Sequence, residues 1–311
     1  MIVTLTINPA LDKTTSVDKL LPEKKLRCDA MSVEAGGGGI NVSKAIIELG
    51  GKTTAVFTSG GMNGRAIEAY LEQRSIPFET VAIEQETRES VTVLEKVSNN
   101  QFRFVMPGPT IREKEVQKCL DMLEKLRPDI LVASGSLAPG LGEDFLARVS
   151  GICKGCDTKF IADTSGKPLQ AVVESGVYLL KPNLHELSTL AGVEELQMDM
   201  VDDAAQEVIA KGKVQVIVVS MGQSGAMLVT KDIVATIPAP IVRKKSTVGA
   251  GDSMVGGMAY KIDAGADVVE MAMFGVACGT AATMNAGSQL FKKPDVERLY
   301  AWIKGKVEQR G

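Results

Sequence analysis

One histidine, His185, and one tryptophan are all that the 311 residues contain of those two types. A single imidazole makes a Ser-His-Asp hydrolase or a zinc site with several histidine ligands hard to assemble. Other aromatics are also scarce, eight Phe and four Tyr, which leaves few platforms for stacking bases. Neither charge dominates: 35 Lys and Arg face 38 Asp and Glu, a net −3. The chain therefore lacks the footprint of a general nucleic-acid binder, although a local basic pocket stays open. No apolar stretch reaches the roughly 18 residues that a membrane span requires. The longest, Met271 to Met284, is rich in Gly, Ala and Thr and reads as a core helix. The opening Met1–Ile7 has no basic leader and reads as a strand. Five cysteines, an odd number without secretion signals, point to reduced thiols and a cytoplasmic setting. Cys153-Lys-Gly-Cys156 has redox or metal spacing but no second pair, and its Gly155 fits a helix C-terminus.

Glycine is abundant instead. It fills 31 positions, about 10% against a usual value near 7%. The chain is long enough for about two domain-equivalents or one large α/β domain. After residue 100, short apolar runs at 129–134, 159–163, 177–180 and 214–220 alternate with helical patterns. Val116, Leu120, Leu123 and Leu126 recur at helical spacing, and further helices are expected near 142–154, 167–175 and 201–212. That alternation predicts a parallel sheet covered by helices on both faces. Residues 89–97 and 101–105, joined by Ser98-Asn-Asn100, instead predict a hairpin with one wet face. With similar extended material at 13–35, they suggest a small β-flap on a single compact domain spanning 1–311.

The glycines mark the places where chemistry is expected. Gly36-Gly-Gly-Gly39 precedes a helix at 40–49, so a ligand can approach the backbone while helix N–H groups face it. The dinucleotide fingerprint fails because Asn41 occupies its third glycine position, and a P-loop fails because residue 46 is Ile. Asn41 instead suits a hydroxyl, as in a polyol or phosphate cradle. Ser246-Thr-Val-Gly-Ala-Gly-Asp-Ser253 leads into another helix. The N–H groups of Gly249, Ala250 and Gly251 can converge on an anion there. Asp252 beside them is either an ordinary first-turn carboxylate or a general base. In Lys181-Pro-Asn-Leu-His-Glu186, Asn183 and Glu186 suit either the water shell of Mg²⁺ or a capping box.

Together these clusters resemble the PfkB (ribokinase-like) sugar kinases across essentially the whole chain. The likeness rests on Asn8-Pro-Ala-Leu-Asp12, Gly36–Asn41, Ser134-Gly-Ser-Leu137, Asp163-Thr-Ser-Gly166, Lys181–Glu186 and the Gly-Ala-Gly-Asp signature of Val248–Ser253. Within the family, Asn8–Asp12 and Thr87-Arg88 resemble the phosphosugar kinase branch, and Lys25-Leu-Arg-Cys28 and Arg103-Phe-Val-Met-Pro-Gly108 are most similar to the 6-phosphofructokinases. The resemblance implies a three-layer α/β/α sandwich with a mostly parallel sheet and a β-lid at about 13–35 and 88–106. It further implies ATP-dependent phosphorylation of the C1 hydroxyl of fructose 6-phosphate, with ATP and Mg²⁺ required. Fructose 1-phosphate and tagatose 6-phosphate are the rival substrates. A nicotinamide-dependent oxidoreductase is the reading from another class, disfavoured by the failed fingerprint.

Roles follow by the same resemblance. Asp252 is expected to deprotonate the sugar hydroxyl while the Gly249, Ala250 and Gly251 amides hold the moving phosphoryl group. Asp12, Gly37, Gly38, Gly39 and Asn41 are expected to orient the sugar. Lys25, Arg27 and Arg88 should meet its phosphate, with Arg103 and Ser136 nearby. Lys181, Asn183, Ser220, Gly222, Gly225, Ser246, Thr247, Val276 and Thr280 should line the nucleotide, and Glu186 should reach Mg²⁺ through water. Val248, Asn285 and Gly287 correspond to a K⁺ position that some relatives have. A homodimer formed through the lid and a second, inhibitory ATP near Lys25 are also implied.

Overall fold

A computed structural model describes residues 1–285 and 290–308. The chain opens with β1 (Ile2–Thr6), β2 (Ala10–Val17) and β3 (Ser32–Gly36), then α1 (Gly38–Glu48). Next come β4 (Thr53–Ser59), α2 (Gly61–Gln73), β5 (Phe78–Ala82), β6 (Arg88–Glu95) and β7 (Asn100–Val105). From α3 (Glu113–Leu126) onward, strands and helices alternate. These are β8 (Ile130–Ser134), α4 (Phe145–Gly155), β9 (Lys159–Asp163), α5 (Lys167–Ser175), β10 (Val177–Leu180), α6 (Leu184–Ala191), α7 (Val201–Lys211) and β11 (Val214–Ser220). The hairpin strands β12 (Ala226–Thr230) and β13 (Val234–Ile237) follow, then α8 (Ala250–Asp263), α9 (Val268–Thr283) and α10 (Lys293–Glu308).

The nine-stranded sheet runs β13-β12-β11-β10-β9-β8-β1-β4-β5. Its strands from β11 to β5 are parallel, and each βαβ step buries apolar residues on both faces. Helices α3 to α7 cover one face, with Leu123, Phe145, Val172, Leu187 and Val201 fully or almost fully buried. The other face lies under α1, α8, α9 and α10, through Ile46, Val255, Ala277 and Ile303. The sandwich has the three layers expected. The sequence reading did not include the antiparallel β12–β13 extension, which a tight turn at Gly222–Gly225 sends back along β11.

A second sheet of order β3-β2-β6-β7 stands apart from the first. The expected hairpin is β6–β7, in antiparallel register, and β6 runs parallel to β2. Of residues 13–35, only the two ends are strand. Residues 18–31 form a mostly exposed connection without a ladder. The small sheet leaves the main one at the carboxyl end of β1, where α1 also begins. Parallel α/β sheets present their ligand crevices at the carboxyl ends of their strands.

Candidate active site

Strands β1, β8, β9, β10 and β11 all end on one rim, and the side chains just beyond them converge. Gly38 opens α1 so close to the end of β8 that a β-carbon would lie 2.3 Å from Ser134 Oγ and 2.6 Å from its carbonyl carbon. Only glycine lets this helix reach the rim. Asn41, in the first turn of α1, then donates from Nδ2 to Asp252 Oδ2 at 2.9 Å. Ser134 Oγ donates toward Asp252 Oδ1 at 3.3 Å and lies 3.4 Å from Asp163 Oδ2.

Asp252 stands in the first turn of α8, whose N-cap is Gly249. The Ala250 N–H turns back to the Thr247 carbonyl at 3.3 Å, and Ser253 makes the first intrahelical bond, to Gly249 O at 2.8 Å. Of the N–H groups at this helix head, those of Gly249, Gly251 and Asp252 have no partner among the described residues. Lys181, just past β10, brings its ammonium to the same place. A β-carbon on Gly251 would lie 3.4 Å from Lys181 Nζ, which in turn sits 3.2 Å from Asp163 Oδ1.

This setting controls protonation. Burial pushes the Asp252 carboxyl up to about 6, and the Asp163 charge adds to the rise. Asn41, Lys181 and Ser134 oppose it. Burial draws the Lys181 ammonium down, but Asp163, with Glu186 and Asp252, more than compensates, and its pKa ends above the ordinary lysine value. A carboxylate that titrates near neutrality beside a helix head is suited to take a proton from a hydroxyl.

On one side of Asp252 lies a cavity of about 350 Å³. Ser220, Gly222, Gly225, Thr247, Val276 and Thr280 line it as expected, and Ala250 and Gly251 close its inner end. The segment Ala239–Val242 with Lys244 forms a wall that the sequence reading missed, held to α9 by Lys245 N–H on the Thr283 carbonyl at 2.8 Å. Ser246 is buried outside this lining, and its Oγ accepts from Val248 N–H at 3.1 Å. Asn183 bridges to Ser220 through its backbone, while its side chain and that of Glu186 form a reciprocal capping box at 2.8 and 2.9 Å.

Asp12 lies on the other side. It sits on β2 opposite Glu34 and Ser90. Burial raises its pKa, while Lys44, Arg88 and Arg103 favour its charge. The Arg88 guanidinium also donates to the Asn8 carbonyl at 3.2 Å, and Arg103 is exposed on β7. Ser136 Oγ accepts from Asn8 Nδ2 at 3.2 Å. Gly37 and Gly39 flank Gly38 on the floor between the two sides. Lys25 and Arg27 lie apart from this group, exposed on the 18–31 connection, with no hydrogen bond or ion pair to it among the described residues.

Val248 stands beside the α8 N-cap. Asn285 donates to the carbonyls of Ala281 and Leu290, each at 3.2 Å. Gly287 lies outside the described residues. Among the described residues no three His, Cys, Asp or Glu side chains form a metal cage. Mg²⁺ itself keeps most of its waters and binds largely through substrate phosphates. Glu186 commits Oε2 to its capping box and leaves Oε1 to face such a shell.

Asp163, Ser134, Glu34 and Lys44 are the participants that motif reasoning did not assign. The first two closed short apolar strands and could be read as strand ends. Glu34 and Lys44 fall outside every motif quoted above.

A donor group on the cavity side can thus be passed over Asp252 to a hydroxyl on the Asp12 side, which is the geometry of a nucleotide-dependent carbohydrate kinase. The pfkB family carbohydrate kinase model matches residues 4–295, and the chain belongs to that family. It is 41% identical over 304 residues to ATP-dependent 6-phosphofructokinase isozyme 2 of Escherichia coli K12, covering 97% of this chain and 98% of that one. It is 32% identical to the 1-phosphofructokinase of Borreliella burgdorferi, covering 98% of each. The solved structure of Escherichia coli phosphofructokinase-2 in complex with fructose-6-phosphate superposes with a TM-score of 0.91 at 40% identity, over 97% of this chain and 99% of that one. Its counterpart in complex with potassium gives 0.94 at 41% identity and the same coverage. The ribokinase-like sandwich and the sugar kinase class inferred from the motifs are both borne out.

Proposed function

We propose that this chain is an ATP-dependent 6-phosphofructokinase that converts fructose 6-phosphate to fructose 1,6-bisphosphate. The observation that carries the reading is the Asp252 carboxylate. It is held by Asn41 Nδ2 at 2.9 Å, at the head of α8, between the cavity and the Asp12–Arg88 cluster. The 41% identity to the Escherichia coli isozyme supports the choice of sugar.

In this mechanism Asp12, Gly38 and Asn41 orient the sugar, and Arg88 and Arg103 meet its 6-phosphate. Lys25 and Arg27 join them when the 18–31 connection folds over. Asp252 takes the proton of the C1 hydroxyl as that oxygen bonds to the γ-phosphorus. The bond to the β–γ bridging oxygen breaks, and ADP leaves. The free amides of Gly249, Gly251 and Asp252, with the Lys181 ammonium, receive the charge on the moving phosphoryl group. Ser220, Gly222, Gly225, Val276 and Thr280 hold the nucleotide. Glu186 and Asn183 would hold the hydrated Mg²⁺ near the nucleotide phosphates, where the ion would supply further charge neutralisation. A K⁺ ion held near Val248, Asn285 and Gly287 would support the same helix head.

Residues 1–311 are read as one kinase domain whose small sheet is the lid. Its exposed apolar side chains, Val33, Phe102 and Phe104 at 46%, 38% and 49%, favour a homodimer joined through that sheet. A cytoplasmic location accords with the free cysteines. Among the described residues no helix is long and apolar enough to cross a membrane.

The test is a steady-state comparison of fructose 6-phosphate, fructose 1-phosphate and tagatose 6-phosphate with purified protein. The highest kcat/KM is expected for fructose 6-phosphate. A hundredfold preference for fructose 1-phosphate would reassign the chain to the 1-phosphofructokinases.

A further inference from the structure

A carbonyl, a carboxylate and an amide converge on the Lys44 ammonium, which none of the roles above employs. Lys44 follows Asn41 by one turn of α1, and its side chain is only 12% exposed. Nζ lies 3.3 Å from the Ala35 carbonyl, 3.5 Å from Glu34 Oε2 and 3.4 Å from Asn41 Oδ1. The Tyr70 hydroxyl donates to the same Glu34 oxygen at 3.5 Å. The Tyr70 ring has the Lys44 ammonium 5.6 Å from its centroid and the Arg74 guanidinium at 3.6 Å. Asp12, opposite Glu34 in the β2–β3 ladder, adds a second negative charge facing Lys44. Burial draws the Lys44 ammonium below its ordinary pKa, and the two carboxylates on lid strands offset that only in part.

An ammonium can only donate, so it faces the Asn41 oxygen and never the Asn41 nitrogen. That decides which end of the amide meets Asp252. With Oδ1 held by Lys44, Nδ2 is left to donate to Asp252 Oδ2 at 2.9 Å. A reversed amide would set an oxygen against the carboxylate. We propose that Lys44 is a positioning residue for phosphoryl transfer: held by Glu34 and Ala35 of lid strand β3, it aims the Asn41 amide at Asp252 and ties the lid to the base. The inference rests on the reading of Asp252 as base.

Its test is a double-mutant cycle in kcat at saturating fructose 6-phosphate, using Lys44→Met, Asn41→Ala and the pair. Lys44→Met is expected to lower kcat about ten- to a hundredfold, with KM for ATP unchanged. Lys44→Arg should recover most of the loss. In the Asn41→Ala background, Lys44→Met should cost nothing more, because its effect passes through the amide. Turnover of Lys44→Met within twofold of the parent, full additivity in the double variant, or no recovery with arginine would each overturn the proposal. If Lys44→Met lacks a cooperative melt, Lys44→Leu, which also has no donor, takes its place in the cycle with the same outcomes. Asp252→Asn, measured alongside, separates the two readings. Full turnover in that variant defeats the base itself, whereas its inactivation together with an additive cycle defeats only the role of Lys44.

Discussion

Asp163 Oδ1 holds Lys181 Nζ at 3.2 Å, and this ion pair lies directly against the first turn of α8. The lysine side chain is 7% exposed and the aspartate 16%, so neither charge has ready access to solvent once the other is removed. Lys181→Met should therefore lower the unfolding free energy by about 3 kcal/mol, measured by urea denaturation at neutral pH. It should also raise KM for ATP, because the helix head loses the ammonium that lies beside Gly251. A variant as stable as the parent, with unchanged KM, would contradict both assignments.

Asp252→Asn should separate catalysis from folding. Turnover is expected to fall by at least about 10², the contribution of a general base. Stability should move the other way. The folded carboxyl is raised from 3.8 to about 6, so its favourable contribution is fully present only below 3.8 and is lost as pH climbs through 6. Above that range the ionised group opposes folding, and asparagine should gain on the order of 1–3 kcal/mol in thermal or urea unfolding at pH 8. Loss of activity together with loss of stability would mean that the side chain has a structural role instead.

The same raised carboxyl sets the pH profile. Activity needs Asp252 ionised, so kcat/KM should fall on the acid side with a midpoint near pH 6. Asp163→Asn removes a charge that helps raise it, and the acid limb should move to lower pH. An acid limb that stays in place in this variant would show that another group controls the profile.

Gly38→Ala tests the approach of α1 to β8. Its new carbon would meet Ser134 and the Gly135 N at 2.3 to 2.8 Å, mostly backbone that cannot give way cheaply. A stability loss of about 1–3 kcal/mol is expected, together with a higher KM for the sugar phosphate as the floor shifts. Calorimetry and initial-rate kinetics read the two effects independently.

Val276→Trp should fill the nucleotide side alone. The side chain is 4% exposed in the cavity wall, across from Ala239–Val242. ATP affinity, followed by fluorescence titration, should fall at least tenfold if the added ring occupies the base position. Unaltered ATP binding would place the nucleotide elsewhere.

Some of this architecture could be read before any coordinates. Runs such as Ile130–Ser134 and Val214–Ser220 are apolar on both faces, a pattern that suits a strand covered by helices on both sides. The Gly-Ala-Gly-Asp element marked its helix start because consecutive small residues before a helix serve a close backbone approach. Lys44 was illegible for the opposite reason. In a helical pattern a lysine on an amphipathic turn looks solvated, and only the neighbouring β3 and α2 bury it. For Asn183 the spacing offered a capping box as one of two readings, and the structure forms it. The bond from Val248 N–H to Ser246 Oγ, by contrast, carried no signal in the sequence.

Local order was thus written in the chain: periodicity chose strand or helix, and the glycine-rich turns marked where backbone could meet a ligand. The pairing of Asn41 with Asp252, 211 positions away, and of Lys181 with Asp163 was not. Those distances depend on which strands lie adjacent in the sheet and how far each helix is pushed toward the rim. The raised carboxyl at Asp252 depends on them in turn, because burial and neighbouring charge are properties of the packed molecule and not of the residue.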